Sequence, residues 1–116
     1  RMDVDDVAMV LRELGHPHRL RIFRRLVKAG FGGLPVGVLR EDLGIPHSSM
    51  THHVSSLLTA GLIEQRREGR GLRCIPKYER LWAVTSVLQS ECCIDEDRHG
   101  EAEEADYADR SETLSD

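Results

Sequence analysis

Six small hydroxyl side chains and two adjacent histidines lie in residues 48–63, S-S-M-T-H-H-V-S-S-L-L-T-A-G-L-I, with almost no charge. Hydroxyl and imidazole groups can both donate and accept hydrogen bonds, and short side chains let a backbone approach its partner closely. A helix that contacts base edges in the DNA major groove needs those properties. The alternative is that the hydroxyls cap and solvate the helix, which suits Ser48 or Ser49 taken singly.

A second group of reactive side chains is formed by three cysteines, Cys74, Cys92 and Cys93. They are too few and too unevenly placed for a disulfide framework, and a reducing compartment would keep them as thiols. Thiolates are soft ligands that select soft metals and metalloids over hard cations. The adjacent pair Cys92 and Cys93 is therefore a candidate site for such a ligand, whereas packing at a helix end is the alternative.

Five helices must position these residues, because apolar residues recur at helical spacing between clear breaks. The predicted helices cover residues 3–14, Pro17 to Gly30, Val36 to Gly44, the stretch after Pro46 as far as Ala60, and about Tyr78 to Cys93. In the fourth helix, a polar face opposes an apolar face; Ser48, Thr51, His52 and Ser55 lie opposite Met50, Val54 and Leu57.

The third and fourth helices, joined by a tight break, form the pattern of a helix-turn-helix. The next segment, L-I-E-Q-R-R-E-G-R-G-L-R-C-I-P, has short apolar stretches on either side of a polar turn and predicts a β-hairpin. This hairpin carries four arginines, Arg66, Arg67, Arg70 and Arg73. Arginines beside a major-groove helix can reach phosphates or the adjacent minor groove, although an arginine-rich hairpin can also be a solvated edge.

Length and composition favour one small domain. With 116 residues, 40% hydrophobic and 4% aromatic, the core must be built mainly from Leu, Val and Ile. The last helix carries more apolar surface than one thin domain is expected to cover, so dimerisation is expected. No apolar run is long enough for a membrane span, and R-M-D-V-D-D does not fit a signal peptide, so we expect a cytoplasmic protein without a membrane partner.

The charges are segregated along the chain. Residues 95–116 contain ten acidic side chains against Arg98 and Arg110, whereas residues 1–94 have 14 Lys and Arg against 10 acids. We therefore predict a DNA-binding and dimerisation domain over residues 1–94 and an acidic, disordered tail over residues 95–116. The tail is either a solvating extension or an acidic mimic that competes with nucleic acid for the basic surface.

An enzyme is not expected. The cysteines and histidines fall on separate predicted elements, no Gly-rich phosphate loop is present, and the chain is too small to enclose much of a pocket. No cofactor is expected to be required. A module that uses the same fold to dock proteins is a further alternative, and it predicts no salt-dependent DNA binding.

Roughly residues 8–93 resemble the ArsR/SmtB winged-helix repressors. The resemblance depends on the order and spacing of three motifs, L-G-H-P-H-R-L-R-I-F-R-R-L at 14–26, S-M-T-H-H-V-S-S-L-L-T-A-G-L-I at 49–63 and R-R-E-G-R at 66–70. It implies a mainly α winged helix-turn-helix with a β-hairpin wing, and a homodimer through the first and last helices that binds double-stranded operator DNA. The DNA-binding residues that it implies are His47, Ser48, Ser49, Thr51 and His52 on the fourth helix, with Arg66, Arg67 and Arg70 on the wing. His53 falls where the family usually has a histidine, and we expect either a buried or capping role or DNA contact for it.

The same resemblance implies release from DNA by a ligand. The third helix lacks the cysteines of one branch of the family, and residues 78–93 lack the Asp and His of the zinc branch. Q-S-E-C-C resembles an arsenic-responsive branch with a vicinal cysteine pair, so As(III) or Sb(III) is the expected inducer, with Cys92 and Cys93 as ligands. Cys74, His99 or a cysteine of the partner subunit could supply a third ligand, but Cys74 could instead be a small buried hydrophobe. A repressor that responds to thiol oxidation through a disulfide or persulfide is the alternative.

Overall fold

The computed structural model describes residues 2–96, and in this part of the chain helices alternate with a small sheet. The elements are α1 Val4–Leu14, α2 Pro17–Ala29, β1 Leu34–Pro35, α3 Val36–Leu43, α4 His47–Thr59, β2 Ile63–Glu68, β3 Gly71–Pro76 and α5 Tyr78–Gln89. The first four helices have the predicted bounds to within a residue or two, and the hairpin lies where the sequence predicts it.

Local chemistry explains where the helices begin and end. Asp3 caps α1 in a capping box, since its side chain accepts from the Asp6 backbone N–H while the Asp6 side chain accepts from the Asp3 backbone N–H. Pro17 occupies the first turn of α2, where its missing N–H costs nothing. Gly44 has a left-handed φ of 64° and ends α3, and Pro46 then begins α4. These breaks produce the tight connection between α3 and α4.

The sheet has three antiparallel strands in the order β1-β3-β2. Within the hairpin, Glu68 pairs with Gly71 next to the turn, and Ile63 pairs with Pro76 at the far end. Leu34 falls between the second and third predicted helices, where no strand is predicted, but it pairs with Cys74 and adds β1 to the middle strand of the sheet, β3. The wing is therefore anchored along one edge to the body of the domain.

One core joins the helices to the base of the sheet. Its largest fully buried side chains come from five of the elements and from the segment before β2: Val10, Ile22, Leu26, Leu39, Met50, Leu57, Leu62 and Cys74. The apolar face predicted for α4 is buried, whereas α1 buries Val7 and Val10 and leaves Val4 and Leu11 exposed. The polar face of α4 is left on the outside as a result.

The last helix differs from the prediction. α5 ends at Gln89, and residues 91–95 form turns, so Cys92 and Cys93 lie beyond the helix rather than in its last turn. Large apolar side chains on α5 remain uncovered, with Trp82 58% exposed and Leu88 61% exposed. Within residues 2–96, no helix is both long enough and apolar enough to cross a membrane.

Candidate DNA-binding surface and thiol pair

The outer face of α4 is polar and uncharged. His47, Ser48, Thr51, His52 and Ser55 are exposed on this face, and Ser49 is half-buried beside them. The Thr51 hydroxyl donates to the His47 carbonyl oxygen at 3.1 Å, so its lone pairs remain free to accept from a ligand. The structure thus places the five DNA-contact residues predicted on this helix on one continuous surface.

Buried contacts hold α4 in position from the other side. Met50, Val54 and Leu57 pack into the core. At the start of α4, the Nδ1 atom of His47 lies 2.8 Å from a guanidinium nitrogen of Arg40 in α3. Because the helix is anchored by both its apolar face and its first turn, its exposed side chains are presented at a fixed angle.

Arg19 makes a second polar link between α4 and the rest of the domain. Its Nε atom donates to Nδ1 of His53 at 3.2 Å, and a terminal nitrogen lies 3.3 Å from Nε2 of His52. Glu13 holds the same guanidinium in an ion pair of 2.9 Å. Arg19 therefore connects the end of α1, the start of α2 and the middle of α4.

His53 is a buried histidine, which decides between the roles that the sequence left open. Its side chain is 6% exposed, and its ring centroid lies 4.5 Å from that of His16. Desolvation is the main cause that lowers the pKa of His53, and the neighbouring His16 and Arg19 lower it further. The imidazole is consequently neutral at physiological pH and fixes α4 from inside the domain.

The wing presents two kinds of arginine. Arg67 and Arg70 are exposed near its tip. Arg66 is also exposed, but its guanidinium forms an ion pair of 2.9 Å with the Glu64 carboxylate. Such an exposed ion pair contributes little and can exchange for a phosphate contact. Arg73 instead binds Glu68 through two nitrogens at 2.6 and 3.0 Å, and this hydrogen bonding lowers the pKa of Glu68.

Arg73 also donates to the carbonyl oxygens of Gly32 and Gly33, at 3.2 and 3.3 Å. The sequence pattern groups it with the other wing arginines as a residue that can reach phosphates. Its guanidinium is occupied within the protein, so Arg73 supports the wing.

The two adjacent thiols meet in the turn after α5. The Sγ atoms of Cys92 and Cys93 are 2.9 Å apart, and both residues are exposed. Neighbouring residues on an α-helix point in different directions, so this approach requires the helix to have ended. Cys93 has a left-handed φ of 66°, which bends the chain and turns the second sulfur towards the first.

Cys93 is a weak acid in this turn. Hydrogen bonding to the Cys92 thiol is the largest of the effects that raise the pKa of Cys93 to about 12, followed by desolvation and the Glu96 carboxylate. Cys93 is therefore protonated at neutral pH, which disfavours reactions that need a thiolate.

Cys74 lies in a different environment from the thiol pair. It is 0% exposed in the middle of β3, and burial raises the pKa of its thiol. Within residues 2–96, no group of three or more His, Cys, Asp or Glu residues is arranged to hold a metal ion. One protomer therefore does not join Cys74 to the thiol pair, and His99 falls outside the described residues.

We expect thiol-alkylating reagents to separate these two classes of cysteine. Under reducing preparation, the exposed pair should react with a maleimide in the native protein, Cys92 faster than Cys93, because the raised pKa of Cys93 leaves less of its thiolate. Cys74 should react only after denaturant is added. Peptide mapping of the labelled protein gives the sites, and rapid native labelling of Cys74 would contradict the buried position.

The fold and the surface together define a winged helix-turn-helix of the kind that transcriptional regulators use. Residues 14–66 match the family described as a helix-turn-helix domain. The crystal structure of an ArsR family transcriptional regulator superposes with a TM-score of 0.69 at 24% identity, over 80% of this chain and 99% of that one. A homodimeric winged helix-turn-helix DNA-binding domain from Mycobacterium bovis superposes with a TM-score of 0.60 at 28% identity, over 76% and 82% of the two chains.

A similarity in sequence is also found to a repressor. The biofilm growth-associated repressor of Xylella fastidiosa is 33% identical over 63 residues, which cover 54% of this chain and 53% of that protein. The chain thus spans about half the length of the curated relatives it matches. The predicted winged helix-turn-helix fold is confirmed, and the similar proteins are transcriptional regulators and repressors rather than enzymes.

Sequence reasoning missed the polar cluster around Arg19 and the structural role of Arg73. Arg19 and His53 are 34 residues apart, and their contact depends on how α2 packs against α4. The only hint in the sequence is that histidines and an arginine occur in H-P-H-R at the start of one predicted helix and in H-H in the middle of another.

Proposed function

We propose that this protein is a homodimeric transcriptional repressor that binds operator DNA and is released when arsenite or antimonite binds Cys92 and Cys93. The observation that supports DNA binding is the exposed, uncharged polar face of α4 beside a wing with exposed guanidinium groups. Short hydroxyl and imidazole side chains suit base edges, and the wing arginines suit phosphates. The α4 helix is accordingly the recognition helix.

A homodimer is supported by apolar surface that one chain leaves uncovered. Trp82 and Leu88 on α5 and Val4 on α1 are exposed. A groove of about 610 Å³ between these helices is lined in part by Met2, Val4, Val87 and Leu88. Exposed apolar area of this kind typically marks a protein interface. Two copies joined there would present two recognition helices, as pairs of DNA half-sites require.

The thiol pair is supported as the inducer site by its chemistry. Arsenous acid condenses with two thiols to form two As–S bonds and releases two water molecules, so each sulfur's proton leaves in water and no oxidant is needed. Neutral thiols are suitable partners for this condensation, and the 2.9 Å separation of the sulfurs brings both within reach of one atom. The third position on arsenic is then filled by hydroxide or by a thiol of the partner subunit.

Release requires that the inducer favours a conformation with lower DNA affinity. The thiol pair follows α5 directly, and α5 carries the proposed interface, so binding there can change how the protomers are arranged. A coupling free energy of about 1 to 3 kcal/mol would lower DNA affinity roughly 5- to 150-fold. A change in the separation of the recognition helices is sufficient, because it breaks the match to the half-sites.

A Cys92→Ser, Cys93→Ser variant should still bind DNA but should no longer respond to arsenite. The hydroxyls preserve the size of the exposed side chains, whereas oxygen is a poor ligand for a thiophilic element. DNA affinity is measured by fluorescence anisotropy with and without arsenite. Wild type should show an affinity at least about fivefold lower with arsenite, and the variant should show no change.

Cys74→Ser serves as the matched control and should retain the arsenite response if it folds. An unchanged arsenite response in the double serine variant would rule the thiol pair out as the sensor. Release of wild type by peroxide or polysulfide without arsenite, reversed by dithiothreitol, would instead favour the redox-responsive repressor.

A further inference from the structure

All five histidines in residues 2–96 face an N–H donor through one ring nitrogen. Guanidinium groups face four of them, at 2.8 to 3.3 Å: His18 through Arg21, His47 through Arg40, and both His52 and His53 through Arg19. The fifth, His16, accepts from the His18 backbone N–H at 3.1 Å. The recognition helix carries three of these imidazoles, those of His47, His52 and His53, and Arg19 of α2 faces the last two.

A guanidinium group has donors and no acceptor, so an imidazole nitrogen that faces it must offer a lone pair. Protonation of that imidazole would place two donors and two positive charges against each other. Each of these contacts therefore requires that the ring nitrogen facing the guanidinium carries no proton.

Two of the contacts share one guanidinium, and we call Arg19, His52 and His53 the guanidinium–imidazole clamp. Arg19 is held in turn by Glu13 on α1. The guanidinium forms an ion pair of 2.9 Å with the Glu13 carboxylate and donates to the Glu13 carbonyl oxygen at 3.2 Å. The clamp thus connects the middle of α4 to α2 and, through Glu13, to α1.

Resting on the proposed function, we propose that the guanidinium–imidazole clamp positions the recognition helix for specific DNA binding and that acidification opens it. At neutral pH the clamp holds α4 at the angle needed to contact bases. When the His53 imidazole takes up a proton, it repels Arg19 and α4 loses this anchor. The phosphate contacts survive, so the protein continues to bind DNA but distinguishes sequences less well.

The direction of the pH effect follows from the pKa of His53. Burial, His16 and Arg19 lower that pKa below its ordinary value of 6.5, so the folded protein binds fewer protons than the unfolded chain. The stabilisation is complete above about pH 6.5 and is lost as the pH falls from there towards the lowered pKa.

Other charged groups around the clamp act in the same sense or are already paired. His16 and His18 lie within 5.5 Å of the His53 ring centroid, and each would add positive charge on protonation. Arg21 faces His18, and Glu13 is the one carboxylate that the hydrogen bonds of residues 2–96 place against Arg19. A single carboxylate cannot neutralise Arg19 together with several imidazolium ions.

Two effects of acid on DNA binding can be separated by comparing sequences. Protonated histidines add positive charge, which strengthens binding to any duplex through phosphates. Opening of the clamp weakens only sequence-dependent contacts. The informative quantity is therefore the ratio of affinities for a specific duplex and a random one, measured with the same protein at two pH values.

The experiment uses the full chain and a duplex selected from a random pool at about pH 7.5, where the imidazoles are neutral. We expect the specific-to-random affinity ratio to fall by up to about tenfold at about pH 5.5, one pH unit below the ordinary pKa of 6.5 from which that of His53 is lowered. His53→Gln keeps an acceptor that cannot be protonated, and its ratio should fall by less. Arg19→Lys should lower the ratio already at neutral pH, whereas Arg24→Lys, an exposed change on the same helix, should not.

The outcomes separate this inference from the function on which it rests. If no duplex is selected over random DNA at neutral pH, the proposed DNA-binding function fails and the clamp has no role in it. If a duplex is selected but the specific-to-random affinity ratio of wild type equals that of His53→Gln at both pH values, only the inference about the clamp is overturned. An imidazole titration of His53 by NMR, followed without DNA, must also show protonation below its ordinary pKa.

Discussion

Gly33→Ala should destabilise the domain severely, by about 3 kcal/mol or more of unfolding free energy. Gly33 has a left-handed φ of 64°, and a Cβ there would lie 2.8 Å from the Cys74 carbonyl carbon and 2.9 Å from the Ile75 Cα. Both contacts involve backbone atoms of β3, so no side-chain rotation relieves them. Either β1 separates from β3 or the wing shifts. Denaturant unfolding followed by circular dichroism measures the destabilisation.

The adjacent glycine provides the control for this prediction. A Cβ at Gly32 meets nothing within 4 Å, and this residue does not have a left-handed φ. Gly32→Ala should therefore change the free energy of unfolding by less than about 0.5 kcal/mol, as exposed positions generally do. Equal stability of the two alanine variants would show that β1 does not pack against β3 as described.

Arg67→Gln, Arg70→Gln should weaken DNA binding and reduce its dependence on salt. Removing one arginine–phosphate interaction is expected to lower the slope of log affinity against log salt by about 0.9, which is up to about eightfold in affinity at about 0.1 M salt. Two such residues in each protomer of a homodimer would multiply the effect. Anisotropy titrations at several salt concentrations measure the slope.

Exposed arginines elsewhere test whether this effect belongs to the wing. Arg12 is exposed and belongs to α1 rather than to the wing or the recognition helix, and Arg12→Gln should leave the salt slope unchanged. The wing substitutions should lower affinity similarly for specific and random duplexes, because phosphates carry no sequence information. An unchanged slope in the wing variant would remove these arginines from the DNA-binding surface.

The helix boundaries could be predicted because local residues determine them. Gly15, Gly44 and Pro46 mark helix ends through their own backbone preferences, and the apolar periodicity of α4 assigned its two faces without knowledge of its neighbours. The polar surface of the recognition helix follows from those faces. It was consequently predictable residue by residue.

Features that depend on contacts distant in sequence could not be predicted. A two-residue strand such as β1 has no periodicity of its own and exists because it pairs with β3. The end of α5 at Gln89 has no Gly or Pro to mark it, and the left-handed conformation of Cys93 was not foreseeable. The clamp at Arg19 required the packing of α2 against α4.

The position of Arg73 has a consequence for the thermodynamics of complex formation. Its guanidinium donates both to Glu68 on β2 and to the loop that leads into β1, so the hairpin is held at both edges before DNA binds. A hairpin that is already fixed loses little conformational entropy when it binds DNA. Less of the favourable interaction free energy is therefore offset by the cost of ordering it. DNA binding by this hairpin should therefore have a smaller entropic cost than DNA binding by a flexible hairpin of equal charge.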